Sequence, residues 1–402
     1  MKNILVVTAV FPPEPVVSAN LSFDIADSLA ERNSVTVISP RPSRPFGFRF
    51  TNERLVFNFN HVQVDSFVHP SSGIFGRLRE SYSFGQHCYK YISENHNHID
   101  SIYVNTWPLL GQYFVVKAAK KYSIPIIVHV QDIYPESLTK KIPYAGLFLK
   151  GVLMPLDKYI LSKATRIIVI SKKMKDYLVQ SRKLNADGVA VIPNWQNEDL
   201  FLNQSKQPVK TSDTLFTFMY LGNIGPVAGV DLLLKAFAKT NLKNARLVIA
   251  GSGSMKERLE KDANFFSDSI IEFWPVPNGK VPEVQGMADV LLLPVKKGNA
   301  STSIPSKLPA YMFSAKPIIA CVDEDSDTAV AINSAKCGYV VGPENIELLV
   351  LTMKKAYKMD KTSLEKLGNN GRDFALLNFS KKNNLRKVIS LIENLVDGNK
   401  KD

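Results

Sequence analysis

The residue with the strongest claim on chemistry is Lys307, in the run SIPSKLPAYMFSAKPIIACVD from Ser303 to Asp323. It follows Pro305-Ser306, where the chain turns into a helix expected over Leu308 to Ser314. A helix start offers unpaired N–H groups and positive dipole to an anion. By position alone Lys307 serves equally well as a solvated lysine at a helix end. Two glycine-bearing stretches sharpen the choice. YLGNIGPVAGVDLLLKAF, Tyr220 to Phe237, and IAGSGSMKERL, Ile249 to Leu259, each run from a strand through a glycine turn into a helix. Gly222, Gly225, Gly251 and Gly253 let backbone N–H groups come close to phosphate oxygens. One such loop is weak evidence, because glycine also serves plain turns. Two, together with Pro305-Ser306-Lys307, converge on one anion-binding place.

The acid–base candidates lie in the first half. His129 and Asp132 sit at the end of a strand expected over Pro125–Val130, where ligand-facing residues of a parallel sheet belong. Asp132 is placed to orient or deprotonate a hydroxyl, Glu136 to share that role, and His129 to hydrogen-bond a ligand. Capping of a helix start explains Asp132 and Glu136 as readily. Glu14 lies beside Pro12, Pro13 and Pro15, which fix the course of its loop. Other chemistries find no motif: there is no phosphate loop with its lysine, no His-Glu-x-x-His and no serine elbow. All six histidines precede position 130, and His96 and His98 read as a solvated loop rather than a metal site.

These residues need elements to position them, and the chain supplies an alternation. Strands are expected near Asn3–Thr8, Ser34–Ser39, Val62–Ser66, Ser101–Asn105, Pro125–Val130, Arg166–Ile170 and Val189–Ile192. Helices are expected over Ala19–Glu31, Phe84–Glu94, Gly111–Lys121, Gly146–Ser162 and Lys172–Gln180. Doubly buried runs alternating with crossover helices mean a doubly wound parallel sheet. A polar stretch from Glu198 to Asp213 reads as a linker, after which a second series begins near Leu215–Tyr220, Arg246–Ala250, Ile270–Phe273, Val290–Leu293, Pro317–Cys321 and Tyr339–Val341. Two such domains facing a central cleft would turn the carboxyl ends of both sheets toward one ligand. Leu385, Val388, Ile389, Ile392 and Leu395 give the last segment a helical apolar stripe.

Composition limits the partners. The 402 residues carry 50 Lys and Arg against 37 Asp and Glu, a net +13, which suits an anionic ligand or surface. Three scattered cysteines, Cys88, Cys321 and Cys337, suggest neither a disulfide framework nor a metal site and fit a reducing compartment. The first apolar run, Ile4 to Phe11, meets Pro12-Pro13 without a small-residue cleavage site and reads as a buried strand. No apolar stretch reaches the roughly 18 residues of a membrane span. Two basic, aromatic stretches, 41–54 and 139–163, have the composition of a peripheral membrane contact.

In order along the chain, VVTAVFPPEP, VHVQDIYPES, ATRIIVISKKMKDYL, VIPNW, YLGNIGPVAGVDLLLKAF, IAGSGSM, EFWPVP, MADVLLLPV and PSKLPAYMFSAKPIIA resemble the retaining GT-B glycosyltransferases of family 4, over nearly the whole chain. The QDIYPES and PSKL variants are most similar to the bacterial polysaccharide subset that transfers N-acetylamino sugars, as in capsule and O-antigen assembly. The resemblance implies two Rossmann-like domains, an acceptor domain over 1–198, a linker over 199–213 and a nucleotide-sugar domain over 214–380, with the helix of 381–402 crossing back to the first. It implies transfer from a UDP-sugar to a polyprenyl-diphosphate-linked or glycan acceptor, without metal or other cofactor. The place implied is the cytoplasm, peripheral on the inner face of an anionic membrane, and nucleic acid is not among the partners. The charge of the departing diphosphate would fall to Lys307, to N–H groups from Gly222 through Asn223 to Gly225, to the second glycine loop at Gly251 and Gly253, and to the helix start Ser306 to Leu308. The base would lie near Val276 and Pro277. Glu14, His129 and Asp132 would complete the catalytic set. Departures accompany the match: Asn223 and Ala228 stand where many members have arginine and lysine, and Ala310 where many have a glutamate that holds the ribose. Val16, Val17 and Ser18 replace a frequent glycine pair. A UDP-amino-sugar epimerase of the same shape, or a non-catalytic scaffold, is the alternative reading of these motifs.

Overall fold

The structure is a computed structural model that describes residues 1–44, 56–69, 73–105, 109–136, 146–203, 215–226, 228–277, 279–297 and 304–398. Most of the basic stretch 41–54, residues 139–145 of the second stretch and most of the expected linker lie outside them. Contacts divide the chain into two compact units, Met1–Asn194 with Asn384–Asp402, and Trp195–Asn383.

In the first unit the elements run β1 (Asn3–Val7), α1 (Val17–Ala30), β2 (Ser34–Pro40), β3 (Asn60–Val64), α2 (Ile74–Asn95), β4 (Ser101–Asn105), α3 (Leu109–Lys121), β5 (Ile126–Val130), α4 (Gly146–Lys163), β6 (Arg166–Val169), α5 (Lys172–Arg182) and β7 (Val189–Val191). All strands are parallel, in the order β3-β2-β1-β4-β5-β6-β7. β4 and β5 are buried at every position, as both-face coverage demands of β-rich runs. Right-handed crossovers put α2, α3 and α4 on one face and α1 on the other. On the first face Phe84, Cys88, Ile92, Val115, Val116 and Ile160 pack on Leu5, Val7, Ile102 and Val104. Each buried aliphatic side chain contributes about 1.5–3 kcal/mol.

Helix α2 begins ten residues before the expected Phe84, running through Gly76 and Gly85. Gly85 stays helical because α3 comes close there: a Cβ would lie 2.9 Å from the Gly111 Cα. β3 lies two residues earlier than expected.

In the second unit a helical turn α6 (Asp199–Leu202) precedes β8 (Phe216–Leu221), α7 (Val230–Thr240), β9 (Ala245–Ala250), α8 (Lys256–Ala263), β10 (Ile270–Trp274), α9 (Val281–Gly286), β11 (Val290–Pro294), α10 (Lys307–Phe313), β12 (Ile318–Cys321), α11 (Asp327–Ala335), β13 (Gly338–Val341), α12 (Ile346–Tyr357) and α13 (Lys361–Asn378). The sheet is again parallel, in the order β10-β9-β8-β11-β12-β13. Residues 195–198 belong here because the Gln196 N–H donates to Phe379 O at 3.0 Å and Glu198 accepts from the Lys381 N–H at 2.8 Å.

The last helix, α14 (Lys381–Gly398), starts in this unit and from Asn384 onward counts with the first. There Val388, Ile389, Ile392 and Leu395 are buried, Asn33 Nδ2 donates to Glu393 Oε1 at 3.0 Å, and Lys2 Nζ donates to Glu393 O at 2.6 Å. Among the described residues no helix is long and apolar enough to cross a membrane.

Candidate functional site

Strand order reverses at β8, which has β9 on one side and β11 on the other. Ligands of open parallel sheets bind beyond the carboxyl ends of the strands at such a point. β8 and β11 pair only at Phe218 with Val290 and at Met219 with Leu291, and then diverge. The buried Tyr311 hydroxyl stands between them, accepting from the Leu221 N–H at 2.8 Å and donating to Leu221 O at 3.0 Å. A fork is therefore held open by a side chain of α10, the helix that begins with Lys307.

Gly222 is the first residue past β8, at φ +154. A Cβ there would lie 1.9 Å from Lys307 Cε, so the lysine stem fills the space a side chain would take. The Lys307 ammonium stands 5.0 Å from the centroid of the Tyr220 ring, whose hydroxyl donates to Asn223 O at 2.6 Å. Lys307 is half-buried. Loss of solvent pulls its pKa down, and no carboxylate among the described residues offsets that. An ammonium drawn from water without a counter-ion is disfavoured, and an anion brought beside it would offset that cost.

The two glycine loops are built against one another. A Cβ on Gly251, φ +131, would meet Gly222 O at 2.2 Å, and one on Gly253 would meet Ile224 O at 2.4 Å. This contact commits several groups that the sequence nominates for phosphate. The N–H groups of Gly222, Ile224 and Gly251 donate to Ala250 O, Ser252 O and Trp274 O at 3.0, 2.8 and 3.0 Å, and that of Leu308 to Pro305 O at 3.0 Å. Those of Asn223, Gly225 and Gly253 make no hydrogen bond among the described residues. Of the N–H groups that the sequence nominates, these three are the ones left open, not a continuous run. α10 starts at Lys307 itself, and the exposed Ser306 makes no side-chain cap.

Val276 packs on the apolar core past β10, and Pro277 is exposed beside it. Trp274 is held at the sheet edge by Glu272, at 2.7 Å, and by the Arg246 guanidinium 4.9 Å from its ring. Ala228 and Ala310 are both buried and bring no polar atom. One cation the sequence reading missed lies close to Ala228. Lys296, at the end of β11, packs its Cγ 3.8 Å from where a Cβ on Gly229 would stand. The signal was the pair Lys296-Lys297 shortly after the strand VLLLP, but the proximity of Lys296 to position 229 depends on which strands are neighbours.

In the first unit the candidates separate. His129 is fully buried, its Nδ1 2.7 Å from the Tyr103 hydroxyl, and burial lowers its pKa to about 4. It is a neutral histidine in the core of the sheet. Glu14 is also buried: its Oε1 accepts from the N–H groups of Ser43 at 2.8 Å and Arg44 at 2.9 Å, and its Oε2 from that of Phe11 at 3.3 Å. Desolvation still raises its pKa above the usual carboxylate value. These bonds tie the chain after β2 to the loop after β1.

Glu136 is likewise a structural acid. Arg182, without exposed surface, gives it Nη1 at 2.7 Å and Nη2 at 2.8 Å, and Tyr177 adds its hydroxyl at 2.6 Å. Burial works to raise the Glu136 pKa, and the bonds from Arg182 and Tyr177 bring it below the ordinary value. The same guanidinium bonds Asp157 at 2.8 Å and Tyr134 O at 2.6 Å. Burial raises Asp157 to about 6 in spite of that pair. Asp132, in the same loop, is exposed. Of the acids proposed from sequence, it alone faces solvent. Among the described residues no three His, Cys, Asp or Glu side chains gather as metal ligands would.

The model "Glycosyltransferase Family 4" matches residues 19–199 and "Glycosyl transferases group 1" matches residues 203–374. The chain is 24% identical over 313 residues, 73% of each protein, to one named probable glycosyltransferase WbjE, from Pseudomonas aeruginosa. It is 23% identical over 288 residues, 68% of each, to an Escherichia coli K12 protein whose name, WcaI, is attached to colanic acid biosynthesis glycosyl transfer. Among solved structures it is similar to a sucrose-phosphate synthase from Thermosynechococcus elongatus, with TM-score 0.76, 15% identity and coverage of 99% and 100%. It is also similar to Anabaena Alr3699/HepE in complex with UDP, with TM-score 0.70, 14% identity and coverage of 98% and 100%.

Proposed function

We infer, from the premise that this chain is a GT-B glycosyltransferase of the family 4-like kind, that it moves a sugar from a UDP-sugar to an acceptor in cell-envelope polysaccharide synthesis. The observation that carries the reading is Lys307: a half-buried ammonium without a carboxylate partner among the described residues, seated on Gly222 where the strand order reverses. A departing UDP gains charge on its diphosphate, and preorganised donors aimed at that charge lower the barrier. Lys307 supplies the cation, and the N–H groups of Asn223, Gly225 and Gly253 supply dipoles. Lys296 stands near enough to Ala228 to take the place of the lysine that position lacks. With these groups in place the leaving group needs no resident metal. Uridine is supported by the UDP complex of a structural neighbour.

The sugar we assign is an N-acetylamino sugar, on the QDIYPES and PSKL motifs, transferred with retention. The acceptor is carried on a polyprenyl diphosphate, which accounts for the net +13. Asp132 is the group that meets the acceptor hydroxyl. Calorimetric titration with UDP, GDP and UDP-amino sugars, on wild type and Lys307→Ala, without and then with magnesium, tests this. Metal-independent UDP binding that is lost in the variant is expected. Equal affinity in the two proteins would remove Lys307 from the donor site and the reading with it.

A further inference from the structure

On the second unit, α7 and α12 pack together over one face of the sheet and leave an open groove of about 870 Å³ between them. Its floor is apolar: Ala238 of α7, Ile346 and Val350 of α12, and Phe266 in the turn after α8 are half-buried there. Leu351, which lines the same groove, is 63% exposed. Beside Phe266 stands Phe265, 84% exposed. A ring left that open next to an apolar hollow is a knob beside a hole. Apolar groups gathered in this way on a surface mark a place of contact. None of them belongs to the donor site.

The two walls of the groove differ in sign. α7 contributes Lys235 and Lys239, both exposed. The start of α12 contributes Glu347, with Glu344 just ahead of the helix, and both of these are exposed too. Lys239 and Glu347 approach to 3.5 Å, but each is so open to water that their pairing leaves most of their charge available to a partner.

We propose that this face joins two copies of the chain about a two-fold axis, Phe265 of each entering the groove of the other and the lysine wall of each meeting the glutamate wall of the other. A two-fold contact uses the same patch on both sides, so the patch must be complementary to itself. A knob with its hole, and a basic wall with an acidic one, meet that condition. Other occupants meet it worse. An acidic protein or an anionic bilayer would face Glu344 and Glu347, and a basic protein would face Lys235 and Lys239; like charges set together disfavour a contact. The net +13 opposes self-association in general, which leaves a patch of mixed sign as the place where two copies can meet. The proposal is independent of the donor-site reading, because it needs neither nucleotide nor turnover.

The test is sedimentation velocity of the whole protein across a dilution series centred on about 1 μM, the weak end for interfaces of standard size. A reversible dimer is expected. Phe265→Ser takes a buried ring from each copy and should raise the dissociation constant at least about a hundredfold. Reversing one wall, Lys235→Glu with Lys239→Glu, sets like charges opposite each other and should also break the dimer. Reversing the second wall as well, Glu344→Lys with Glu347→Lys, should bring it back, a rescue that damage to the fold would not give. Denaturant unfolding at the wild-type midpoint shows that Phe265→Ser is folded. A monomer at every concentration overturns the proposal. So does a dimer that Phe265→Ser or the first wall reversal leaves unchanged, or one that the double reversal does not restore. Co-sedimentation of a monomer with phosphatidylglycerol vesicles, abolished by Phe265→Ser, would overturn it in favour of a lipid surface.

Discussion

Gly222→Ala should act on UDP through Lys307 and not through itself. The added methyl would lie 1.9 Å from Lys307 Cε, and the next contacts, at 2.9 and 3.0 Å, are again Lys307 atoms. Because the obstruction is the far end of a flexible side chain, the lysine swings away and the loop stays. Removing a charge-assisted bond costs about 1.5–3 kcal/mol, a factor of about 10 to 150 in Kd. Lys307→Ala should show that loss, and Gly222→Ala should show one of the same size. The double variant should lose no more than either, giving a coupling of about 1.5–3 kcal/mol. Separately, φ +154 is backbone that alanine rarely adopts, so Gly222→Ala should lower folding stability by about 1–3 kcal/mol with or without Lys307. Calorimetry with UDP on the four proteins gives the cycle, and denaturant unfolding gives the strain. Additive losses in Kd would show that Gly222 acts through its own backbone, and the argument from the lysine stem would fail.

Lys296→Ala should weaken UDP about tenfold, and Ala228→Lys in that background should restore it, as a charge moved a short distance along one site would; titration of the pair decides. Asp132→Asn should lower kcat about a hundredfold with stability within about 0.5 kcal/mol of wild type. Arg182→Ala, which strands Glu136 and Asp157, should instead cost about 3–5 kcal/mol of stability, measured by unfolding alongside steady-state rates. His129 has a folded pKa lowered to about 4. The unfolded chain therefore binds more protons between about pH 6.5 and 4, and this contribution, present above that window, is lost as pH falls through it. Unfolding at several pH values should show a wild-type slope that His129→Gln reduces by about 3 kcal/mol across the window.

The parallel sheets were legible because both-face burial leaves unbroken apolar runs such as IIVHV of β5 and VLLLP of β11. The meeting of Lys307 with two glycine loops was legible as residue types, because those glycines are needed for backbone contact whatever else the chain does. What the sequence left open was which polar atoms those contacts already occupy. Ile224 and Leu308 lose their N–H groups to partners 28 and 3 residues away, and nothing in local composition marks that. The settings of His129 and Glu14 were illegible for a similar reason: their partners, Tyr103 and the Ser43–Arg44 backbone, are 26 and 29–30 residues distant. Arg182 was invisible because a basic residue in the last turn of a helix is ordinarily a solvated dipole partner.

A single distinction sorts the withdrawn charges of both units. Arg182 has two carboxylates, Arg44 has Glu80 at 2.7 Å, and Glu14 has three N–H groups; each is satisfied, and each ties a loop to the body. Lys307 has, among the described residues, only an aromatic ring and the space above a glycine. A protein has no structural use for a cation left in that condition, so its cost to the unliganded fold must be repaid on binding an anion. That argument can be tested without any substrate turnover. Lys307→Met keeps the stem that fills the Gly222 gap and removes the charge, so the unliganded variant should be more stable than wild type by about 1 kcal/mol. UDP at a hundred times its Kd should stabilise wild type by about 2.7 kcal/mol and the variant far less, so that the order of the two melting temperatures inverts as UDP is added. Thermal unfolding across a UDP series reads this directly. A variant less stable than wild type in the absence of UDP would mean that Lys307 is satisfied in the resting fold, and the anion site would have to be sought elsewhere.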